Sequence, residues 1–283
     1  MPNDTSITYA APGGRELKLD LYRPDEGQVP TRTAVILVHG GGWMLGERGM
    51  VAPLAKAFAS QGFLAIPVEY RLVKEAPWPA QRDDVVAAAQ WVAANAAELG
   101  IDPARIVLAG SSAGGHLALM AAAALGGKAR IGAVLSLFSA SELTLEQPAP
   151  KGMFGAPQLV GPDASAATLA AASPLHQVNA DFPPVFLLHG GGDWMIDPQA
   201  SINLYQRLRE LGVTAEMHIV AGGLHEFVEE PGMVGPMVSE MALFLSRVLI
   251  DPDRWAAETS EHNLFAQGPE AVMALMQKLL AEH

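Results

Sequence analysis

Short apolar, β-branched runs return along the chain, among them "TAVILVHG", "RIVLAG", "IGAVLSLF" and "PVFLLHG". Between them lie longer Ala-rich stretches whose apolar positions recur at helical spacing. Continuous apolar runs are the signature of strands covered on both faces, so the alternation predicts an α/β fold: a mostly parallel sheet with helices on both sides. The opening differs. "LKLDLY" alternates with period two, as a strand with one wet face should, and with "SITYA" it brackets "APGG", a turn composition that predicts an antiparallel hairpin. "FLAIPVEY" reads as a buried strand in conflict with itself, because Pro67 has no N–H to give a ladder. Either the strand ends near Pro67 or the segment is not a strand there.

Two segments fall outside the alternation. "EQPAPKGMFGAPQLVGPDAS" is rich in Pro and Gly without periodicity, which marks an insertion, at about residues 140–173, and a candidate lid. In "GPEAVMALMQKLLAEH", Val272, Leu275, Met276, Leu279 and Leu280 fall on one helical stripe that must be covered. Packing back on its own domain is the ordinary outcome; docking on another subunit of a homo-oligomer, or beside a pocket mouth, is the alternative. The expected organisation is one domain over residues 1–250 and an extension with an amphipathic helix over 251–283.

Composition narrows the chemistry. Half of the 283 residues are apolar, enough for one large core. A formal net charge of -12, with 18 Lys and Arg spread along the chain, argues against a nucleic-acid partner. With no Cys there is no disulfide, thiolate nucleophile or Cys-ligated metal. The N-terminus lacks the basic and apolar regions of a signal peptide, and no stretch reads as a charge-free membrane span, so a cytoplasmic location is expected.

The stretch "IVLAGSSAGGHLAL" sets two serines between glycines at a predicted strand-to-helix turn. A nucleophile elbow has the form G-x-S-x-G, because small residues two positions away relieve a strained turn, and Gly110, Ser112 and Gly114 fit it. The register on Ser111 would be flanked by Ala109 and Ala113, a weaker fit. Upstream, "ILVHGGGW" places three glycines after a strand, leaving backbone N–H groups bare enough to approach an oxyanion. Gly41, Gly42 and Ala113 are the candidate donors. An acid and then a histidine should follow, each in a loop after a strand. Of the downstream histidines, His225 in "AGGLHEF" sits in a glycine loop after the last strand, whereas His116 and His189 read as packing or hydrogen-bonding residues. "HGGGDWMIDP" offers Asp193 and Asp197; Asp197 before Pro198 reads as a helix N-cap, which leaves Asp193 as the acid. Trp43, Trp194 and Leu224 flank these positions, with Met153 and Phe154 in the candidate lid, and are pocket-lining candidates. The chemistry expected is acyl transfer through Ser112, without a cofactor, since no H-E-x-x-H, P-loop or dinucleotide fingerprint is present.

With "HGGGW", "GSSAGGHLAL", "GGGDWMIDP" and "GGLHEF" in this order, the sequence resembles the α/β-hydrolase superfamily, and within it the esterases similar to hormone-sensitive lipase. The resemblance implies an eight-stranded sheet, a cap, and hydrolysis of small carboxylic esters with Ser112, Asp193 and His225 as nucleophile, acid and base. Ser111 stands where that branch often has an acidic residue, and "LDLYRP" and "SAGGHLA" look more like small esterases and formamidases with reduced caps. An amidase or aryl-formamidase and a carbohydrate or feruloyl deacylase are therefore the alternative activities, and a non-catalytic ligand receptor the alternative class.

Overall fold

The computed structural model describes residues 4–126, 131–146 and 155–281. Its strands are β1 (Asp4–Ala10), β2 (Leu17–Leu21), β3 (Ala34–Val38), β4 (Leu64–Val68), β5 (Ile106–Ser111), β6 (Ala133–Leu137), β7 (Val185–Gly190) and β8 (Ala215–Val220). They form one eight-stranded sheet in the order β1-β2-β4-β3-β5-β6-β7-β8. The opening hairpin is antiparallel and joins the sheet antiparallel to β4; every later neighbour is parallel.

The helices are α1 (Ala52–Ala59), α2 (Ala80–Ala94), α3 (Ala96–Leu99), α4 (Ala113–Ala124), α5 (Ala156–Val160), α6 (Ala166–Ala171), α7 (Gln199–Glu210), α8 (Pro231–Leu245), α9 (Pro252–His262) and α10 (Pro269–Ala281). Strand residues alternate between two cores. Ile36, Val38, Ile66 and Leu108 face Val85, Leu117 and Leu204 of α2, α4 and α7. Val35, Leu37, Val107 and Phe186 face Phe58, Met241 and Phe244 of α1 and α8. Burying each such side chain is worth roughly 1.5–3 kcal/mol, which is why strands apolar on both faces end up central.

Pro67 lies inside β4, paired with Leu37, and the buried strand ends one residue later at Val68, near Pro67 as expected. Donors along β4 alternate in direction: Leu64 N–H goes to Thr33 O toward β3, while Ala65 N–H goes to Tyr22 O and Glu69 N–H to Lys18 O toward the hairpin. The missing N–H of Pro67 therefore falls on the hairpin side, between those two bonds, and the parallel ladder loses nothing.

By length and composition Pro231–Ile250 could cross a membrane, contrary to the expectation that no stretch would. Its apolar character has a use within the fold, since Val238, Met241, Phe244 and Leu245 are buried in the core on one sheet face. The chain leaves this helix at the amino ends of the strands. Arg105, just before β5, donates to Ile250 O at 2.9 Å, and Leu249 lies against Gly132 just before β6. From there α9 and α10 extend, and the α10 stripe expected to pack on its own domain stays exposed at Leu275, Met276, Leu279 and Leu280.

The insertion is pinched at its base. Ser173 Oγ accepts from Leu143 N–H and donates to Leu169 O, tying its two ends together. Met153 and Phe154 lie outside the described residues.

Candidate active site

Ser112 occupies the step from β5 into α4 with φ 53° and ψ -120°, a backbone conformation that costs a non-glycine residue about 1–3 kcal/mol. The flanking glycines make it possible. A Cβ on Gly110 would come within 2.4 Å of the Gly114 carbonyl carbon, and one on Gly114 within 2.1 Å of Val38 O. Ser111 ends the strand, one residue short of the turn.

The glycine loop after β3 runs beside this turn: a Cβ on Gly40 would lie 3.4 Å from that of Ser112. Gly41 (φ 107°), Gly42 (φ 60°) and Trp43 (φ 62°) all have positive φ, a conformation the two glycines adopt without cost. The Gly41, Gly42 and Ala113 N–H groups have no acceptor among the described residues, Ala113 because it opens α4. Ser112 N–H, by contrast, is held by Leu137 O at 2.9 Å.

Two buried histidines brace this loop. His39 stacks on Tyr70 with ring centroids 4.3 Å apart and donates from Nδ1 to Gly40 O at 2.8 Å. His116, on α4, accepts the Trp43 indole N–H at Nδ1 (3.2 Å) and donates from Nε2 to Ala172 O (2.8 Å), linking the loop to the exit of the insertion. Burial lowers both imidazoles to about 4, so each is neutral at physiological pH.

His225, after β8, places Nε2 3.0 Å from Ser112 Oγ and Nδ1 2.7 Å from Asp193 Oδ2. A carboxylate only accepts, so Nδ1 carries the proton and the Nε2 lone pair meets the serine hydroxyl. The Phe138 ring packs edge-on to this imidazole at 5.0 Å. Asp193, in the turn after β7, also accepts at Oδ1 from Met195 N–H (2.8 Å) and Ile196 N–H (3.1 Å). Burial would push its carboxyl up, but the hydrogen bonds from His189 and His225 and the backbone hold it well below the usual carboxylate range. Nearby Glu229 is raised by burial and by Glu226.

The structure thus brings Ser112, His225 and Asp193 into one hydrogen-bonded row, with Gly41, Gly42 and Ala113 around the serine. Trp43 is 2% exposed and belongs to the core, whereas Trp194 and Leu224 are 50% and 53% exposed on the acid and base loops. Asp197 Oδ1 accepts from Gln199 N–H at 2.9 Å, capping α7 from just outside it; the helix opens one residue later than an N-cap at Asp197 implies. His189, expected to pack or hydrogen-bond, hydrogen-bonds Asp193. A histidine in an otherwise apolar buried strand must find polar partners, and that was the available signal.

A family model described as BD-FAE matches residues 19–208. Over 226 residues the chain is 30% identical to a probable carboxylic ester hydrolase, LipM, of Mycobacterium tuberculosis (strain ATCC 25618 / H37Rv), covering 74% of this chain and 52% of that protein. It is 31% identical over 232 residues to esterase LipQ of the same organism, covering 74% and 53%. The chain thus spans about half the length of these relatives. Among solved structures it resembles the thermophilic esterase Est2 of Thermogutta terrifontis, with a TM-score of 0.72 at 23% identity over 88% of this chain and 94% of that one. The architecture is the α/β-hydrolase fold.

Proposed function

The chain belongs to the BD-FAE family, and from that premise and the geometry of its site we propose that it is a serine hydrolase of small carboxylic esters. The observation that carries the reading is the unbroken row from Ser112 Oγ through His225 to Asp193, next to three N–H groups that have no acceptor among the described residues. Ser112 Oγ attacks the acyl carbon as its proton passes to His225 Nε2, and the carbonyl oxygen takes the negative charge against Gly41, Gly42 and Ala113. The imidazolium returns that proton to the leaving alkoxide, giving the alcohol and an acyl-Ser112. Water then adds to the acyl carbon with His225 as base, and release of the acid restores the serine hydroxyl. Asp193 fixes the tautomer and stabilises the transient imidazolium without taking a proton, consistent with its firmly ionised state.

Exposed Leu45, Trp194 and Leu224 lie on the donor, acid and base loops, so the mouth favours apolar groups on the ester. Turnover of p-nitrophenyl acetate, longer acyl esters and N-formyl arylamines tests the proposal, together with covalent labelling by a p-nitrophenyl phosphonate. Ester turnover with label on Ser112 is expected. Faster cleavage of the amide, or label elsewhere, overturns it.

A further inference from the structure

Asp193 Oδ2 has a second imidazole beside it. His189, wholly buried at the end of β7, places Nε2 3.2 Å from this oxygen and 3.1 Å from Ile196 O, while its Nδ1 lies 2.7 Å from Ser201 Oγ on α7. The two partners of Nε2 can only accept, so Nε2 carries the proton, and the bare Nδ1 accepts from the Ser201 hydroxyl. The row therefore continues past the acid: Ser201 fixes the tautomer of His189, His189 donates to Asp193, and Asp193 accepts from His225 on the same oxygen.

We propose that His189 is a positioning residue, whose donation to Asp193 Oδ2 sets how strongly that carboxylate holds His225. The role rests on the reading of Ser112, His225 and Asp193 as the reacting triad. A carboxylate oxygen shared between two N–H donors gives each less than it would give one alone, because every donor draws on the same negative charge. His189 thus moderates the partner of the base while helping Met195 and Ile196 to fix the orientation of the carboxylate. The other ionisable groups near His225 are Glu226 and Glu229 on the following turn, and the variants below leave both unchanged.

Two substitutions separate donation from mere space filling. In His189→Gln the amide nitrogen falls where Nε2 stood and keeps the donor to Asp193. In His189→Asn the shorter amide reaches only toward Ser201. With Asn, the acid limb of kcat/KM against pH is expected to move up by about half a unit to one unit, since a carboxylate relieved of one donor favours the imidazolium more. Its kcat should fall with KM unchanged, because the carboxylate loses one of the donors that fix its orientation toward His225. Gln should keep the wild-type limb. An unmoved limb in the Asn variant, or a Gln variant that shifts equally, overturns the proposal.

Nitrogen-15 spectra of the unmodified protein decide the matter if the Asn variant does not fold. They should show His189 protonated at Nε2 and bare at Nδ1, and the opposite tautomer overturns the proposal. These spectra need no turnover, so a chain that cleaves no ester would refute the triad reading while leaving the donation to Asp193 open to its own test.

Discussion

Ser111 and Ser112 are neighbours in sequence, yet only Ser112 has the left-handed backbone of the elbow and the His225 contact. Ser112→Ala should lower kcat for an acetate ester by about a millionfold, as loss of a triad nucleophile does, with Ser111→Ala within roughly tenfold of wild type. Stopped assays with p-nitrophenyl acetate check both, and a Ser112→Ala enzyme with substantial turnover would refute the elbow register. Asp193→Asn keeps the size of the side chain but offers an amide where His225 needs an acceptor, so kcat should drop about ten-thousandfold. Circular dichroism should meanwhile remain native. The choice of Ser112 was legible because its reason is local: glycines two residues away, where any Cβ would collide with Gly114 or Val38. The bond from His189 to Asp193 was not, because spacing along a chain does not say which ring nitrogen meets which oxygen across a turn.

At the scale of the element, the strands could be read from continuous apolar runs because both of their faces are covered. Pro67 left only the tolerance of a proline within the strand unexplained, since a single sequence does not show which neighbouring strand a given N–H faces. The α10 stripe was legible as a helix and not as a contact, because a periodic pattern specifies a face but not what lies against it. Two substitutions probe elements directly. Asp197→Ala removes the acceptor for Gln199 N–H at the start of α7 and should cost about 1 kcal/mol in urea denaturation with kcat nearly unchanged. Gly114→Ala forces a methyl against Val38 O, displacing α4 from β3. About 1–3 kcal/mol of stability should be lost by overpacking, and phosphonate labelling of Ser112 should slow as well.

The whole molecule should be acid-sensitive well before its carboxylates protonate. His39 and His116 are held neutral down to about 4, whereas an unfolded histidine takes its proton near 6.5. The unfolded chain therefore binds protons first as pH falls. Stability is complete above about pH 6.5 and is lost toward pH 4, by up to about 3 kcal/mol for each histidine. Asp193, shifted downward, adds its own loss only as pH falls below about 4. Urea midpoints should hold from pH 7.5 to about 6.5 and then fall steadily to pH 4.5, and a flat profile throughout would contradict the buried neutral histidines. The extension after Ile250 meets the body at the amino ends of β5 and β6, while Ser112 follows the carboxyl end of β5, roughly 20 Å away along the strand. Removing residues 251–283 should consequently leave ester turnover within about twofold, the span expected of a change far from the reacting groups. For the same reason a resin or sensor chip coupled beside Ile250, at the amino ends of the strands, would present the mouth of the pocket to the bulk liquid, whereas coupling through the Trp194 or Leu224 loops would face it against the support.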